Sequence, residues 1–379
     1  AVGDFDNNGR ADLLWRNTRT GNSLMSYHNA DGSVASWPVV SNYINPTTTK
    51  ALGVGDFDGD GKDDILWRNL SSGNTVISVM NGHVPTWVGA SFSACPEVGG
   101  YALDTTDRDS VLAFYRSVYE PSMGVASGWS GNIAACQAGT LSSDYVTAIR
   151  RRINWFRAMA GVPANIVFDA ERNRKAQLAA LMMSANRSLS HYPPTSWACY
   201  SDDGAQAAGS SNLALGRSGP DAVSSGYIQD PGQNNSAVGH RRWLLYPQTR
   251  TMGVGDVTPV NTWPANAIWV IDDNYWAERP AVRDGFVAWP PKGYVPFQTV
   301  YPRWSLSYPD ADFTNAVVTM TRNGNPVSVS VEPVLAFGGV GEDTVAWVPA
   351  TYADGQTWGP RSARAGRSRR SAGRARCGR

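Results

Sequence analysis

Two sets of residues in this sequence have the types and spacing that chemistry needs. The first centres on His240, one of four histidines, within residues 232–247 (GQNNSAVGHRRWLLYP). It stands between Gly239 and an Arg241-Arg242-Trp243 run, with Asn234 and Asn235 upstream. An imidazole there can move a proton, hold a metal ion or tie a loop together. The second set is a repeat. Residues 3–17 (GDFDNNGRADLLWRN) recur at an offset of 52 as residues 55–69 (GDFDGDGKDDILWRN). Each copy carries oxygen side chains at loop positions 1, 3, 5 and 9, with Gly at 6. Alternate side chains then turn inward around a hard cation that takes six to eight oxygens. An EF-hand would continue into a helix and supply Glu at position 12. Here the loop runs into Leu13-Leu14-Trp15 or Ile65-Leu66-Trp67, which is strand sequence. The expectation is a Ca²⁺ loop on a β scaffold.

Composition narrows the classes of function. The 379 residues suffice for two or three domains. At 42% hydrophobic and 17% charged the chain reads as globular, and its Gly, Trp and Tyr content suits β-rich extracellular domains. No apolar run is long enough to span a bilayer. The chain begins at Ala1 inside the repeat and reads as a fragment, so the absence of a signal peptide carries no weight. Its net charge of +1 comes from the last 19 residues, which hold eight Arg and no acid. Taking those eight from 33 Lys and Arg leaves 25 against 32 Asp and Glu, a body near −7. An acidic body argues against nucleic acid as the main ligand. The tail, 359–379, is expected to be disordered. Its Arg/Gly/Ala/Ser bias after Trp358 reads as a shifted reading frame in GC-rich DNA, with an arm for nucleic acid or an anionic surface as the alternative. The cysteines are Cys95, Cys136, Cys199 and Cys377, with no C-x-x-C. Cys136 and Cys199 flank the central segment and are the expected disulfide, with Cys95 bonded to either as the alternative.

Certain elements must position these groups. Residues 93–140 read as a connector with a short helix over 108–119, where Val111, Leu112, Tyr115 and Val118 share one side. Ser143 or Asp144 is expected to cap a helix. Along it Val146, Ile149, Ile153, Phe156 and Ala160 fall on one face, and Gly161 and Pro163 end it. Asp169 caps a second helix to about Arg187, and His191 follows it. Asp221 is expected to cap a short helix. Short strands are expected near 243–246 and 267–271.

Two resemblances follow from these motifs. The first 92 residues resemble the FG-GAP/VCBS repeat family, whose repeats form β-propeller blades. The resemblance implies Ca²⁺ ligands at Asp4, Asp6, Asn8 and Asp12, and at Asp56, Asp58, Asp60 and Asp64. Main-chain oxygens of Arg10 and Lys62 would complete the two sets. Two repeats cannot close a propeller of at least four blades. Residues 153–163 (INWFRAMAGVP), with Ser190-His191, Asn212-Leu213 and Gly239-His240, resemble the CAP superfamily of cysteine-rich secretory, antigen 5 and pathogenesis-related proteins. That resemblance covers about 141–276. It implies a secreted, disulfide-stabilised α-β-α sandwich with a cleft holding two histidines and two acids. The histidines map onto His191 and His240. The first acid position holds Ser211. The second falls near Gln229 and Asp230. Two imidazoles can bind Zn²⁺ but make a weak site without further ligands.

No G-x-S-x-G, H-E-x-x-H or phosphate loop competes, and the adjacent Asp202 and Asp203 point apart. Beyond about Arg279 the pattern is β, with a hairpin signal at Asn323-Gly324 between 316–321 and 327–331 and another strand at 344–348. The expected architecture is a multidomain α+β chain. Partial propeller repeats span 1–92, a connector 93–140, a CAP domain 141–277 and a truncated β-sandwich 278–358. The expected protein is secreted and bacterial-type and acts in extracellular binding or adhesion, its ligand a glycan, lipid or protein. The alternatives are a hydrolase using His191, His240 and Asp230, with or without Zn²⁺, and a lipid- or sterol-binding protein.

Overall fold

The computed structural model describes residues 1–41, 48–57, 60–69, 75–89, 100–334 and 341–350. Asp58, Cys95, Cys377 and the Arg-rich tail lie outside the described residues. The chain divides into two compact units. One comprises residues 1–102 with 112–121, and the other contains 103–111 and everything described from Ser122 onward.

The first unit is built from the repeat. Its first sheet has strands β1 (Val2–Gly3), β2 (Asp12–Arg16), β3 (Ser23–His28) and β4 (Val34–Ser36) in that order, with β5 (Val39–Ser41) also paired to β3. The second is a four-stranded antiparallel meander of β6 (Thr49–Gly55), β7 (Asp64–Asn69), β8 (Thr75–Asn81) and β9 (Val84–Gly89). Phe5, Leu14, Met25, Ile65, Trp67 and Met80 form one apolar core. The 52-residue repeat is visible atom by atom. Trp15 Nε1 donates to Ser26 Oγ at 2.9 Å, and Trp67 Nε1 donates to Ser78 Oγ at 2.8 Å.

A helix, α1 (Arg108–Phe114), continues as a π-helical turn over Tyr115–Tyr119, the span its pattern predicts. In the second unit α2 (Ser143–Ala160) is capped by Ser142, whose Oγ accepts from Tyr145 N. The cap is one residue earlier than Ser143, because Ser142 is the last extended residue. Gly161, at φ +77°, ends the helix as expected. The next helix, α3 (Ala170–Asn186), is capped by Asp169 through Arg172 N at 2.8 Å. Then come α4 (Asp202–Gly209), the short α5 (Gly219–Asp221) running into a π-helical turn over Ala222–Ile228, and α6 (Gly239–Leu244). Asp221 ends α5 rather than capping it, and Ser218 occupies the cap position.

These helices surround a sheet in the order β10 (Val167–Phe168), β12 (Thr251–Val257), β13 (Ala265–Trp269) and β11 (Ser211–Leu215). Helix α3 lies against β12. A Cβ on Gly255 would sit 2.2 Å from the Gln177 nitrogen, so only glycine admits this approach. Small side chains fill the contact: Ala176, Ala179, Ala180, Ala265 and Ala267 are all buried. Cys136 and Cys199 form the expected disulfide, with a Cα–Cα separation of 5.1 Å.

The strand expected at 243–246 is instead α6 and its following turn. The cause is distant in sequence. The Asp230 carboxylate accepts from the amide nitrogens of His240 and Arg241, which supplies the helix cap from ten residues upstream. Beyond α6 lies a second antiparallel sheet, β14 (Val287–Trp289), β15 (Trp304–Ser307), β19 (Thr344–Pro349) and β18 (Val329–Val331). The hairpin β16 (Met320–Arg322) and β17 (Asn325–Val327) turns through Asn323 and Gly324, at φ +52° and +80°. Mixed α and β content with several separate, unclosed sheets is the result. Among the described residues no helix is long and apolar enough to cross a membrane.

Candidate functional site: a two-histidine cleft and an acidic loop pair

His240 sits in the first turn of α6. Its Nδ1–H donates to Asp230 Oδ1 at 2.7 Å. Asp230 is fully buried, and its other oxygen accepts His240 N at 3.0 Å and Arg241 N at 3.4 Å. His191 follows the left-handed Arg187 at the end of α3. Its Nδ1 lies 2.8 Å from the carbonyl of Ala208 in α4. A carbonyl can only accept, so this nitrogen carries the ring proton. Both imidazoles are therefore held as Nδ1–H tautomers, with the Nε2 lone pair free of these contacts. That is the form that accepts a proton or binds a metal ion.

The two rings line one cleft of about 290 Å³. Leu213, Leu215 and Tyr227 give it an apolar wall, and Arg217 brings a cation to its edge. The Tyr227 ring lies 5.5 Å from that of His240. Its hydroxyl donates to Asn266 Oδ1 at 2.6 Å, and burial holds its pKa well above the usual tyrosine value. Asn212 Nδ2 donates to the His240 carbonyl at 3.0 Å. Ser211 is buried with its hydroxyl unpartnered, so no carboxylate stands at that position. Gln229 contributes its carbonyl to Arg241 rather than a carboxylate to the cleft. Asp230 stands behind His240 and orients it without lining the cleft. Asp202 and Asp203 are elsewhere: Asp203 pairs with Arg174 and Lys175.

Sequence reasoning missed a set of buried arginines in and around α6. Arg241 donates from Nε to Ile228 O at 2.6 Å, from Nη1 to Ser305 Oγ at 2.8 Å, and from Nη2 to Arg303 O at 2.9 Å. Arg242 donates twice to Glu342 O, at 2.8 and 3.1 Å. Arg157 in α2 reaches the carbonyls of Pro163, Leu244, Tyr246 and Thr249. The only signal in the sequence is two adjacent arginines ahead of Trp243-Leu244-Leu245, a place where a solvated pair is out of character.

In the first acidic loop, carboxylate oxygens of Asp4, Asp6 and Asp12 lie within 4.8 Å of one another. Oxygens 2.3–2.6 Å from one Ca²⁺ can be no farther apart than about 5 Å, so the donor set fits that ion. Asn8 Oδ1 accepts from Arg10 N at 2.9 Å, and the amides of Asn8 and Gly9 point at Asp4. Burial raises the Asp12 carboxyl above its ordinary range, and the nearby Asp6 and Asp4 charges add to the rise. The second loop repeats the pattern. Asp56 accepts Gly61 N at 3.0 Å, and Asp60 accepts Lys62 N at 2.8 Å. Asp12 accepts the amides of Phe5 and His28, and Asp64 accepts those of Phe57 and Met80, the same positions 52 residues on.

Two family models match parts of the chain. Residues 150–271 match the cysteine-rich secretory protein family, CAP. Residues 4–67 match the FG-GAP-like repeat. The chain thus carries a CAP domain that contains both cleft histidines, and an FG-GAP-like repeat that contains the acidic loops. No curated protein matches the chain.

Asp256, on β12, gives a pH test. It is fully buried and accepts Gly219 N at 2.9 Å through Oδ2. Burial raises its pKa well above 3.8. The folded chain then keeps a proton that the unfolded chain releases. Stability from this group is full below about 3.8 and falls as pH rises through the folded value. Asp256→Asn should flatten that fall, so its stability relative to wild type should grow with pH in urea titrations. Parallel curves would refute it.

Proposed function

We propose that this chain is an extracellular binding protein whose CAP cleft takes its ligand over His191 and His240, with repeats stabilised by Ca²⁺. The observation that carries the cleft reading is the pair of imidazoles, each fixed at Nδ1 and both lining one cleft. Two lone-pair acceptors beside an apolar wall suit a ligand with a polar head and an apolar body, whether glycan, lipid or protein. A disulfide fits an oxidising, extracellular setting. The four-stranded meander β6–β9 supports a propeller-blade reading of the repeats. The sheet and hairpin after β14 support a sandwich-type C-terminal region.

A second reading, a histidine-based hydrolase, is favoured by the Asp230–His240 pair, which resembles the base and orienting acid of hydrolytic sites. Zn²⁺ bound to Nε2 of both histidines would polarise a carbonyl or water. Catalytic zinc sites use three protein ligands, and Ser211 cannot supply the third as a carboxylate would. Binding therefore stands ahead of catalysis.

Zn²⁺ serves as a probe of the acceptor pair. The full chain should take up zinc in the cleft, and His191→Ala and His240→Ala should each lose it in elemental analysis. Equal zinc content in wild type and both variants would reject the acceptor pair.

Ca²⁺ should raise the melting temperature of the repeat unit within the full chain. Asp56→Ala combined with Asp58→Ala should abolish the gain contributed by the second loop. No Ca²⁺-dependent shift in wild type would reject the loop assignment.

A further inference from the structure

We infer that Arg303, just before β15, is a positioning residue for His240 that acts from outside the cleft lining. The inference rests on the cleft reading above only in giving His240 a role. The segment between the π-helical turn and α6 has an unusual backbone. Asp230, Gly232 and Val238 have φ of +51°, +98° and +48°. Asp and Val rarely hold that conformation unless their surroundings impose it. The segment belongs to no sheet, and arginines take its carbonyls instead. Arg303 Nη1 donates to Asp230 O at 2.6 Å and to Asn235 O at 3.3 Å, while Nη2 donates to Gly232 O at 3.1 Å. Its Nε is held by Glu332 Oε1 at 2.8 Å.

The grip is reciprocal. Arg241, next to His240, donates to the carbonyl of Arg303, and Arg303 donates to the carbonyl of Asp230. Asp230 is the residue whose carboxylate holds His240 Nδ1. Removing the guanidinium frees the Asp230 peptide to leave its left-handed conformation. The carboxylate then swings away and the ring loses its fixed proton. Arg303 does not line the cleft, so it acts through Asp230. Lysine replaces it only in part, because a compact ammonium lacks the planar fork that reaches the Asp230 and Gly232 carbonyls together.

The test uses the full chain with ¹⁵N-labelled histidine, at a pH where the rings are neutral. Ring-nitrogen spectra report the tautomer of each histidine, assigned from His191→Ala and His240→Ala. Wild type should show Nδ1–H at both rings. Arg303→Ala should lose that signature at His240 and leave His191 unchanged. Arg303→Lys should show a partial loss, and it decides the matter if the alanine variant does not fold. Zn²⁺ affinity should fall about tenfold or more in either variant, as for other groups that orient a ligand. An unchanged His240 tautomer in both variants would overturn the inference. So would an equal change at His191, which would mean general loosening. A wild type that takes up no Zn²⁺ would count against the cleft reading alone, since the tautomer readout needs no ligand.

Discussion

A guanidinium buried from water must find acceptors for its N–H groups, and Arg241 imposes that constraint on the whole second unit. It is 1% exposed, and burial pulls its pKa down to about 10 against the opposing charge of Asp230. Its acceptors come from the turn before α6 (Ile228, Gln229) and from the start of β15 (Arg303, Ser305). Satisfying one charge therefore brings three chain segments together. The His240 helix, the Asp230 turn and the C-terminal sheet converge because leaving those donors unpaired costs several kcal/mol. Arg242 repeats the arrangement at Glu342, and Arg279 pairs with the Glu342 carboxylate.

The same economy recurs in the acidic loops. Asp12 and Asp64 each close the loop onto the following sheet through two backbone amides. A carboxylate oxygen has two lone pairs, so holding the loop and facing a cation are compatible. The loop is shaped by its own amides, and a cation would find the acids already gathered.

What was legible in the sequence was local. The apolar face of α2, its Gly161 stop and the Asp169 cap of α3 depend on neighbours within a few residues, and the structure has them. The 52-residue repeat carried the first unit, because identical spacing forces identical bonds. The two histidines were legible only as a set, through the resemblance to the CAP superfamily. The apolar run at 243–246 has strand character, and α6 forms there because its cap comes from Asp230, ten residues back. The tautomers of His191 and His240 depend on Ala208 and Asp230, which no spacing rule predicts. The bonds from Arg241 and Arg242 to Ser305 and Glu342 span 64 and 100 residues, and nothing in the C-terminal pattern hints at them. Long-range satisfaction of buried charge leaves no periodicity to read.

The central claim is that buried arginines make the cleft and the C-terminal sheet one cooperative body. Native-state hydrogen exchange of the full chain tests it most directly. The amides of Ile268 in β13, Leu244 in α6 and Leu306 in β15 should open with the same free energy and the same denaturant dependence. A C-terminal sheet that opens at lower free energy, while Leu244 and Ile268 stay protected, would contradict the account.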